Sequence, residues 1–278
     1  SRTSRGRPIV NMFPLLPGEK VNVVLPLTDG FRSFPADHYV FMATAQGVVK
    51  KTSLDEFSNP RKAGIIAVDL DPGDFLIGAA LTDGLHDVML FSDGGKAVRF
   101  DEQDVRAMGR NARGVRGMML EPAQSVIAML VAEDESQSVL TATENGYGKR
   151  TPITEYTRHG RGTKGMIAIQ QSERNGKVVA ATLVRPEDEI MLITDSGVLV
   201  RTRVAEIREL GRATQGVTLI ALDDGAKLTG LQRIVENDAT LDAAIAAGNG
   251  NGHDGGNGNG DGPGERHGDA PPAEKDDA

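Results

Sequence analysis

The 278-residue sequence repeats one pattern four times, at intervals of 48 to 51 residues. Each copy contains an apolar run, a Ser or Thr, a turn with glycine, and a strand-like run with basic residues. The turn glycines are Gly47, Gly95, Gly146 and Gly197. Glycine between two β-rich runs is typical of a tight hairpin whose turn needs positive φ. Self-similarity at this period indicates an array of small units that bury their apolar faces against one another.

Two further apolar segments follow each hairpin. The first contains a glycine and covers residues 63–70, 116–122, 164–170 and 215–222; the second covers residues 75–83, 125–134, 178–188 and 227–235. A solenoid of ββα units has a similar period, but no stretch of about 12 residues inside the repeats has helical periodicity. The sequence therefore predicts an all-β, propeller-like array of four-stranded blades.

Part of a fifth copy precedes the four complete ones. Residues 4–11 match the glycine-containing segment, and residues 21–29 match the segment that follows it. The hairpin of this copy is not in the sequence. We therefore expect an incomplete first blade, with the remainder of that blade before Ser1, in a β-domain that covers residues 1–237.

Charge is distributed unevenly along the chain. The net charge is −8, and residues 238–278 contribute −7 of it, whereas residues 1–237 hold 29 basic and 30 acidic residues. The stretch 248–268 is dominated by glycine and has almost no apolar side chains, which predicts a flexible acidic tail over 238–278. A nearly neutral body can still present a basic face to an anionic polymer, because such a polymer responds to local charge.

Composition excludes several classes of protein. The absence of cysteine excludes disulfide scaffolds, thiolate zinc sites and cysteine nucleophiles. No apolar run reaches the roughly 18 residues of a membrane helix. The five histidines are scattered, the recurring acids come one per repeat, and no phosphate-binding loop or nucleophile elbow is present. We therefore predict no catalytic site, no metal site and no cofactor in this chain.

Each hairpin carries a cation four residues after its turn glycine: Lys51, Arg99, Arg150 and Arg201. An acid follows each cation after five more residues: Glu56, Asp104, Glu155 and Glu206. The cations could contact phosphates, or each could pair with its acid and join the hairpin to the next loop. The one-to-one matching favours the ion pairs, and hence a structural role.

Cations without a matched acid recur in the loops that lead into the glycine-containing segments. We predict that they form a basic track for a polyanion, because glycine among cations lets backbone amides approach a phosphate closely. Ordinary solvated surface loops are the alternative. The candidate residues of this track are Arg5, Arg7, Arg61, Lys62, Arg110, Arg113, Arg116, Arg158, Arg161, Lys164 and Arg212.

Six strings, in this order and spacing, resemble the C-terminal domain of the bacterial DNA gyrase A family. They are RGRPIVN (5–11), FMATAQGVVKKT (41–52), RAMGRNARGVRG (106–117), ENGYGKRT (144–151), TKGMIAI (163–169) and LVRTRVAEI (199–207). The resemblance implies a β-pinwheel of about six four-stranded blades, planar or spiral, with exchanged strands and an acidic tail. It implies duplex DNA wrapped with positive handedness around a basic outer rim, which lets the whole enzyme, a type II DNA topoisomerase, introduce negative supercoils.

The same resemblance implies further partners and a location. The partners are double-stranded DNA, the remainder of the gyrase A protein and the gyrase B protein, in the bacterial cytoplasm at the nucleoid and away from membranes. ATP and Mg²⁺ are expected for the whole enzyme, bound elsewhere. The family-defining heptapeptide Gln-Arg-Arg-Gly-Gly-Lys-Gly is not in this sequence, and we expect it before Ser1. Two alternatives stay open, namely the equivalent domain of topoisomerase IV and a protein-interaction propeller that binds acidic partners.

Overall fold

A computed structural model describes Asn11, Leu15 and residues 19–27, 32–61 and 63–234. The expected tail over 238–278 and the segment 4–10 lie outside these residues, so the predicted division at residue 237 stays a prediction. Within the described residues the secondary structure is β-strands and single turns of 3₁₀ helix. The all-β prediction is confirmed.

Each repeat begins with the hairpin that the glycine pattern predicts. The hairpins are β1 (Tyr39–Thr44) with β2 (Val48–Ser53), β4 (Asp87–Ser92) with β5 (Lys96–Asp101), β8 (Ser138–Thr143) with β9 (Tyr147–Pro152), and β12 (Glu189–Thr194) with β13 (Leu199–Arg203). One 3₁₀ turn follows each hairpin, at Leu54–Phe57, Glu102–Asp104, Ile153–Glu155 and Val204–Glu206.

A seven-residue strand completes the repeat and pairs antiparallel with the first strand of its own hairpin. These inner strands are β3 (Leu76–Thr82), β7 (Val126–Ala132), β11 (Val178–Val184) and β15 (Leu228–Ile234). Each contacts the next one along the chain, and all four line one cavity, to which Ala80, Met129, Thr182 and Gln232 contribute. The repeats are therefore arranged around their inner strands, as in a propeller.

Consecutive repeats exchange a strand. Three two-residue strands, β6 (Val115–Arg116), β10 (Met166–Ile167) and β14 (Val217–Thr218), each pair with the hairpin of the preceding repeat. The resulting sheet orders are β3-β1-β2-β6, β10-β5-β4-β7, β11-β8-β9-β14 and β13-β12-β15. The exchanged strand therefore forms the edge opposite the inner strand.

The strands formed by the glycine-containing segments are shorter than the apolar runs of these segments predict. The expected strands over 116–122, 164–170 and 215–222 shrink to two residues each, because the chain next crosses over the neighbouring hairpin turn. The amides of Gly117 and Met118 both donate to the Gly47 carbonyl, at 2.8 and 3.1 Å. No strand forms within the described residues over 63–70 or 21–27, where the described chain has no preceding hairpin to pair with.

Apolar clusters fill the spaces between neighbouring sheets. Alternation along β4 directs Val88 and Leu90 into a cluster with Phe41 of the first sheet, and directs Met89 and Phe91 into a cluster with Tyr156 of the third repeat. A strand buried on both faces needs apolar residues at every position, which explains the continuous apolar runs. The described residues contain four such sheets; the count of about six blades stays a prediction.

The hairpin glycines provide a test of the strand exchange. Gly146 and Gly197 both have positive φ, +79° and +83°, but a Cβ on Gly146 would lie 2.5 Å from the Ile220 carbonyl oxygen, whereas one on Gly197 would meet nothing within 4 Å. We expect Gly197→Ala to lower the free energy of unfolding by about 1–2 kcal/mol through φ strain alone. Gly146→Ala should cost about 1–3 kcal/mol more through the clash, as measured by urea denaturation. Equal costs would contradict the importance of this contact.

Candidate nucleic-acid interface

Six of the eight described candidate cations lie in the loops that lead into an exchanged strand at the outer edge of a sheet. Arg116 lies on β6 itself, and Arg61 precedes a segment that forms no strand. We call residues 106–114, 157–165 and 208–216 the rim loops, because each ends at an exchanged strand β6, β10 or β14. Strand exchange places each rim loop beside the hairpin of the preceding repeat. The sequence-based prediction that these loops recur at one equivalent position per blade agrees with this arrangement.

One arginine in each rim loop joins two repeats through a neutral partner. Arg110, Arg161 and Arg212, spaced 51 residues apart, are the rim arginines. Each donates from Nη1 to a carbonyl of the preceding repeat, on Ile66 at 3.0 Å, Arg116 at 3.0 Å and Ile167 at 2.9 Å respectively. A carbonyl orients the guanidinium without cancelling its charge.

The guanidinium charges of the rim arginines have little compensation from carboxylates. Arg110 has a carboxylate only at the outer limit of an ion pair, with Glu56 4.0 Å away. Arg161 and Arg212 have no ion-pair partner among the described residues, and Nε of Arg161 donates to the Asp104 backbone carbonyl at 3.0 Å. The exposed side chains of Arg61 and Arg116 likewise have no carboxylate partner in the described part of the chain.

Besides Arg110, three candidate cations have acidic partners, which corrects the prediction that the loop cations are unmatched. Arg113 pairs with Asp69 at 2.9 Å and with Asp71 at 2.8 Å. Lys164 pairs with Glu121 at 2.9 Å, and Arg158 pairs with Asp87 at 2.7 Å and Asp101 at 3.3 Å. The partners lie in the preceding repeat, more than 40 residues away, so spacing within one repeat does not reveal them.

These pairs perturb the groups that form them. The hydrogen bond from Lys164 holds the pKa of the Glu121 carboxyl below its usual value. The hydrogen bond to Asp69, reinforced by Asp71, raises the pKa of the Arg113 guanidinium. Both cations are exposed but already compensated. Arg5, Arg7 and Lys62, the remaining candidates, lie outside the described residues.

The hairpin cations have a structural role, but with partners other than the predicted acids. Arg99 is 6% exposed and pairs with Asp87 at 2.7 Å and Glu135 at 3.0 Å. Lys51 donates to the Glu102 backbone carbonyl at 3.1 Å, and Arg150 donates to that of Ile207 at 2.8 Å. Arg201 pairs with Glu189. The side chains therefore reach the following repeat or the adjacent strand instead of Glu56, Asp104, Glu155 and Glu206.

Two buried lysines were missed by the sequence analysis. Lys50 and Lys149 lie one residue before the hairpin cations and are 1% and 0% exposed. Lys50 donates to the backbone carbonyls of Ala67 and Arg110, and Lys149 donates to those of Gly211 and Arg212, both at 2.5 Å. Two adjacent basic residues in a strand buried on both faces were the available signal, because one of the two must then point into a blade interface.

No group of three or more His, Asp or Glu side chains among the described residues is placed to hold a metal ion. The described part of the chain also holds no helix with the length and apolarity that a membrane crossing requires.

Comparison with known proteins shows which protein family this chain is similar to. The family model described as "DNA gyrase C-terminal domain, beta-propeller" matches residues 38–83, 86–133, 137–185 and 188–234, one match per repeat. The DNA gyrase A protein of Salmonella typhimurium is 53% identical over 245 residues, 87% of this chain and 27% of that protein. The Pseudomonas aeruginosa protein is 45% identical over 89% of this chain and 31% of its own length. The chain spans less than a third of the length of these relatives.

Two solved structures have the same architecture. A DNA gyrase A C-terminal domain superposes with a TM-score of 0.74 at 26% identity, covering 84% of this chain and 77% of that one. The C-terminal domain of a DNA topoisomerase IV superposes with a TM-score of 0.79 at 24% identity, covering 88% and 76%. The second likeness concerns the fold alone.

The contrast between Arg99 and Arg201 tests the structural role of the hairpin cations. Both occupy the same repeat position, but the Arg99 side chain is 7% exposed and the Arg201 side chain 51% exposed. Arg99→Ala removes one of the two arginines that pair with the buried Asp87 carboxylate, Arg158 being the other, so it should lower the free energy of unfolding by about 1.5–3 kcal/mol. Arg201→Ala should cost at most about 1 kcal/mol. Urea denaturation measures both, and unchanged stability for Arg99→Ala would refute the structural assignment.

Proposed function

We propose, because the chain belongs to the DNA gyrase C-terminal domain family, that this domain binds duplex DNA along the rim loops and bends it around the outer edge of the blades. The observation that carries the proposal is the series of rim arginines. They recur every 51 residues, and each is oriented by a neutral carbonyl that leaves its charge free for a phosphate. Arg61 and Arg116 add further exposed cations.

The contacts suit the DNA backbone better than the bases. Phosphate contacts position a duplex without reading its sequence, and the chain has no Trp and only three Tyr with which to stack on bases. Bending stiff duplex costs on the order of 1–6 kcal/mol for a site of roughly 20–30 bp, so many dispersed contacts must share the work. Recurring rim loops supply such contacts along a curved path.

In the intact protein this domain would wrap DNA with positive handedness, and so let the enzyme introduce negative supercoils. The remainder of the gyrase A protein and the gyrase B protein would be its protein partners, with ATP and Mg²⁺ bound outside this chain, in the bacterial cytoplasm at the nucleoid. The identity of 45–53% to DNA gyrase A proteins favours a gyrase domain over the equivalent domain of topoisomerase IV.

Handed wrapping is tested on a closed plasmid. A relaxed plasmid is incubated with the domain, treated with a nicking-closing topoisomerase and freed of protein, and its linking number is read on two-dimensional gels. We expect a positive linking difference that increases with the amount of domain. DNA retention without a linking difference would reject wrapping, and no retention would favour the protein-interaction alternative.

The unpaired cations should dominate the salt dependence of binding. Replacing Arg61 and Arg116 together by Gln removes two charges that have no described carboxylate partner. The slope of log K against log salt should become shallower by about one unit per lost phosphate contact, and about equally for unrelated DNA sequences. Fluorescence anisotropy at several salt concentrations measures this slope.

A charge-neutral pair provides the control. Lys164→Gln combined with Glu121→Gln removes an existing ion pair and leaves the net charge unchanged. We expect this double variant to bind DNA with nearly the wild-type slope. A larger loss from the control than from Arg61 and Arg116, or a loss confined to one DNA sequence, would contradict the proposed rim.

A further inference from the structure

Lys50 and Lys149 connect the interior of the domain to the rim. They occupy the same strand position in the first and third repeats, where the second and fourth repeats have Val98 and Val200. Each side chain leaves its hairpin strand on the face opposite the hairpin cation and reaches the rim loop of the next repeat. Each ammonium thus ends beneath the backbone of a rim arginine.

Through its hydrogen bonds to backbone carbonyls, each lysine helps to hold the rim arginine in position. Lys50 bonds the carbonyls of Ala67 and Arg110, while the Arg110 guanidinium bonds the carbonyl of Ile66. Residues 66–67 are therefore linked to Arg110 by its guanidinium and also through the Lys50 ammonium. Lys149 bonds the carbonyl of Arg212 itself, whose guanidinium bonds Ile167. In the second repeat, by contrast, Val98 packs in an apolar cluster.

The charged groups around each ammonium are few. Glu56, Asp69 and Arg110 influence Lys50, and Arg212 and Glu155 influence Lys149. None of these carboxylates comes within 4.0 Å of either ammonium among the described ion pairs. Burial and, to a smaller extent, the neighbouring arginine lower the pKa of both lysines to about 8, while the neighbouring acids oppose the shift. A phosphate that binds nearby can therefore change the protonation of both lysines near pH 8.

We propose that Lys50 and Lys149 are positioning residues that hold Arg110 and Arg212 ready for phosphate, and that DNA binding to the rim is coupled to protonation of these two lysines. The inference rests on the proposed DNA binding. Its ligand is the phosphate backbone of duplex DNA, and its chemistry is proton uptake. A phosphate at the rim favours the charged ammonium, and the charged ammonium favours the loop geometry that binds phosphate.

Linkage gives the sign and size of the effect. If DNA raises the pKa of a lysine from about 8, binding takes up protons near pH 8 and weakens as the pH rises. Between about pH 7.5 and about pH 9 the loss is at most about eightfold per lysine.

Stability should change in the opposite direction. These lysines bind fewer protons in the folded domain than in the unfolded chain over the window from about pH 8 to the ordinary lysine pKa of 10.5. Their contribution to the free energy of unfolding therefore rises with pH across this window. Loss of DNA affinity together with gain of stability is a combination that a merely structural role does not produce.

The experiment compares the wild type with Lys50→Met/Lys149→Met. The control is Lys177→Met/Lys227→Met, which removes the same charge from exposed lysines in the loops before β11 and β15. DNA affinity is measured from about pH 7.5 to about pH 9, and stability is measured in parallel. We expect the wild type and the control to lose affinity with pH, and the Lys50/Lys149 variant to bind more weakly at pH 7.5 with little further loss. An equal pH dependence in all three proteins would overturn the inference.

Calorimetry on the unaltered chain gives a second measurement that does not depend on how a variant folds. Titration with DNA near pH 8, in buffers that differ in ionisation enthalpy, should show net proton uptake. Binding without proton uptake would overturn the coupling while leaving the proposed function intact. Failure of the wild type to bind DNA at pH 7.5 would instead overturn the proposed function.

Discussion

The architecture depends on the hydrogen bonds that the hairpin turn of one repeat accepts from the next repeat. The carbonyls of Gly47, Gly95 and Gly146 each accept two consecutive amides from the following exchanged segment. A turn that both needs positive φ and lies against another backbone admits only glycine, which explains this residue at Gly47, Gly95 and Gly146, whereas at Gly197 the positive φ alone favours it. Because three of the four described sheets take their outer strand from the next repeat, these repeats do not form a complete sheet alone. The same borrowing carries every rim loop to the outer edge, so the position of the candidate interface follows from the way the blades close.

Apart from the buried Lys50 and Lys149, the basic side chains at the junctions between repeats fall into three groups by their partners. Hairpin cations such as Arg99 are buried and stabilise the junctions. A second group, which includes Arg113 and Lys164, pairs with acids of the preceding repeat. The rim arginines bond neutral carbonyls and keep their charge. Acids that pair with the first two groups do not compensate the rim arginines, which is how a body with 29 basic and 30 acidic residues over residues 1–237 can present a basic edge.

The sequence predicts the hairpins, the inner strands and the rim loops because these features depend on residues close in the chain. It fails where the structure joins residues of different repeats. Arg113 and Asp69 are 44 residues apart, Arg99 and Glu135 are 36 apart, and Lys50 and Arg110 are 60 apart. Spacing within one copy suggested Glu56 as the partner of Lys51, yet exchange places Glu56 beside Arg110. The exchanged strands are short for the same reason, since the neighbouring turn takes up the amides that would extend them.

The repeats are alike in backbone but not in charge. At one recurring contact between neighbouring repeats, Arg113 meets Asp71, Lys164 meets Glu121, and Gln215 meets Ser172. The contact thus changes from an ion pair to a neutral hydrogen bond along the chain. The rim arginine follows a parallel trend, because Arg110 has a nearby acid and Arg212 has none among the described residues. A backbone-binding surface tolerates such variation, because its affinity is a sum over phosphate contacts and no single contact has to read a base. The buried lysines under the first and third junctions add a further difference between blades, and this difference lies beneath the rim and not on its outer surface.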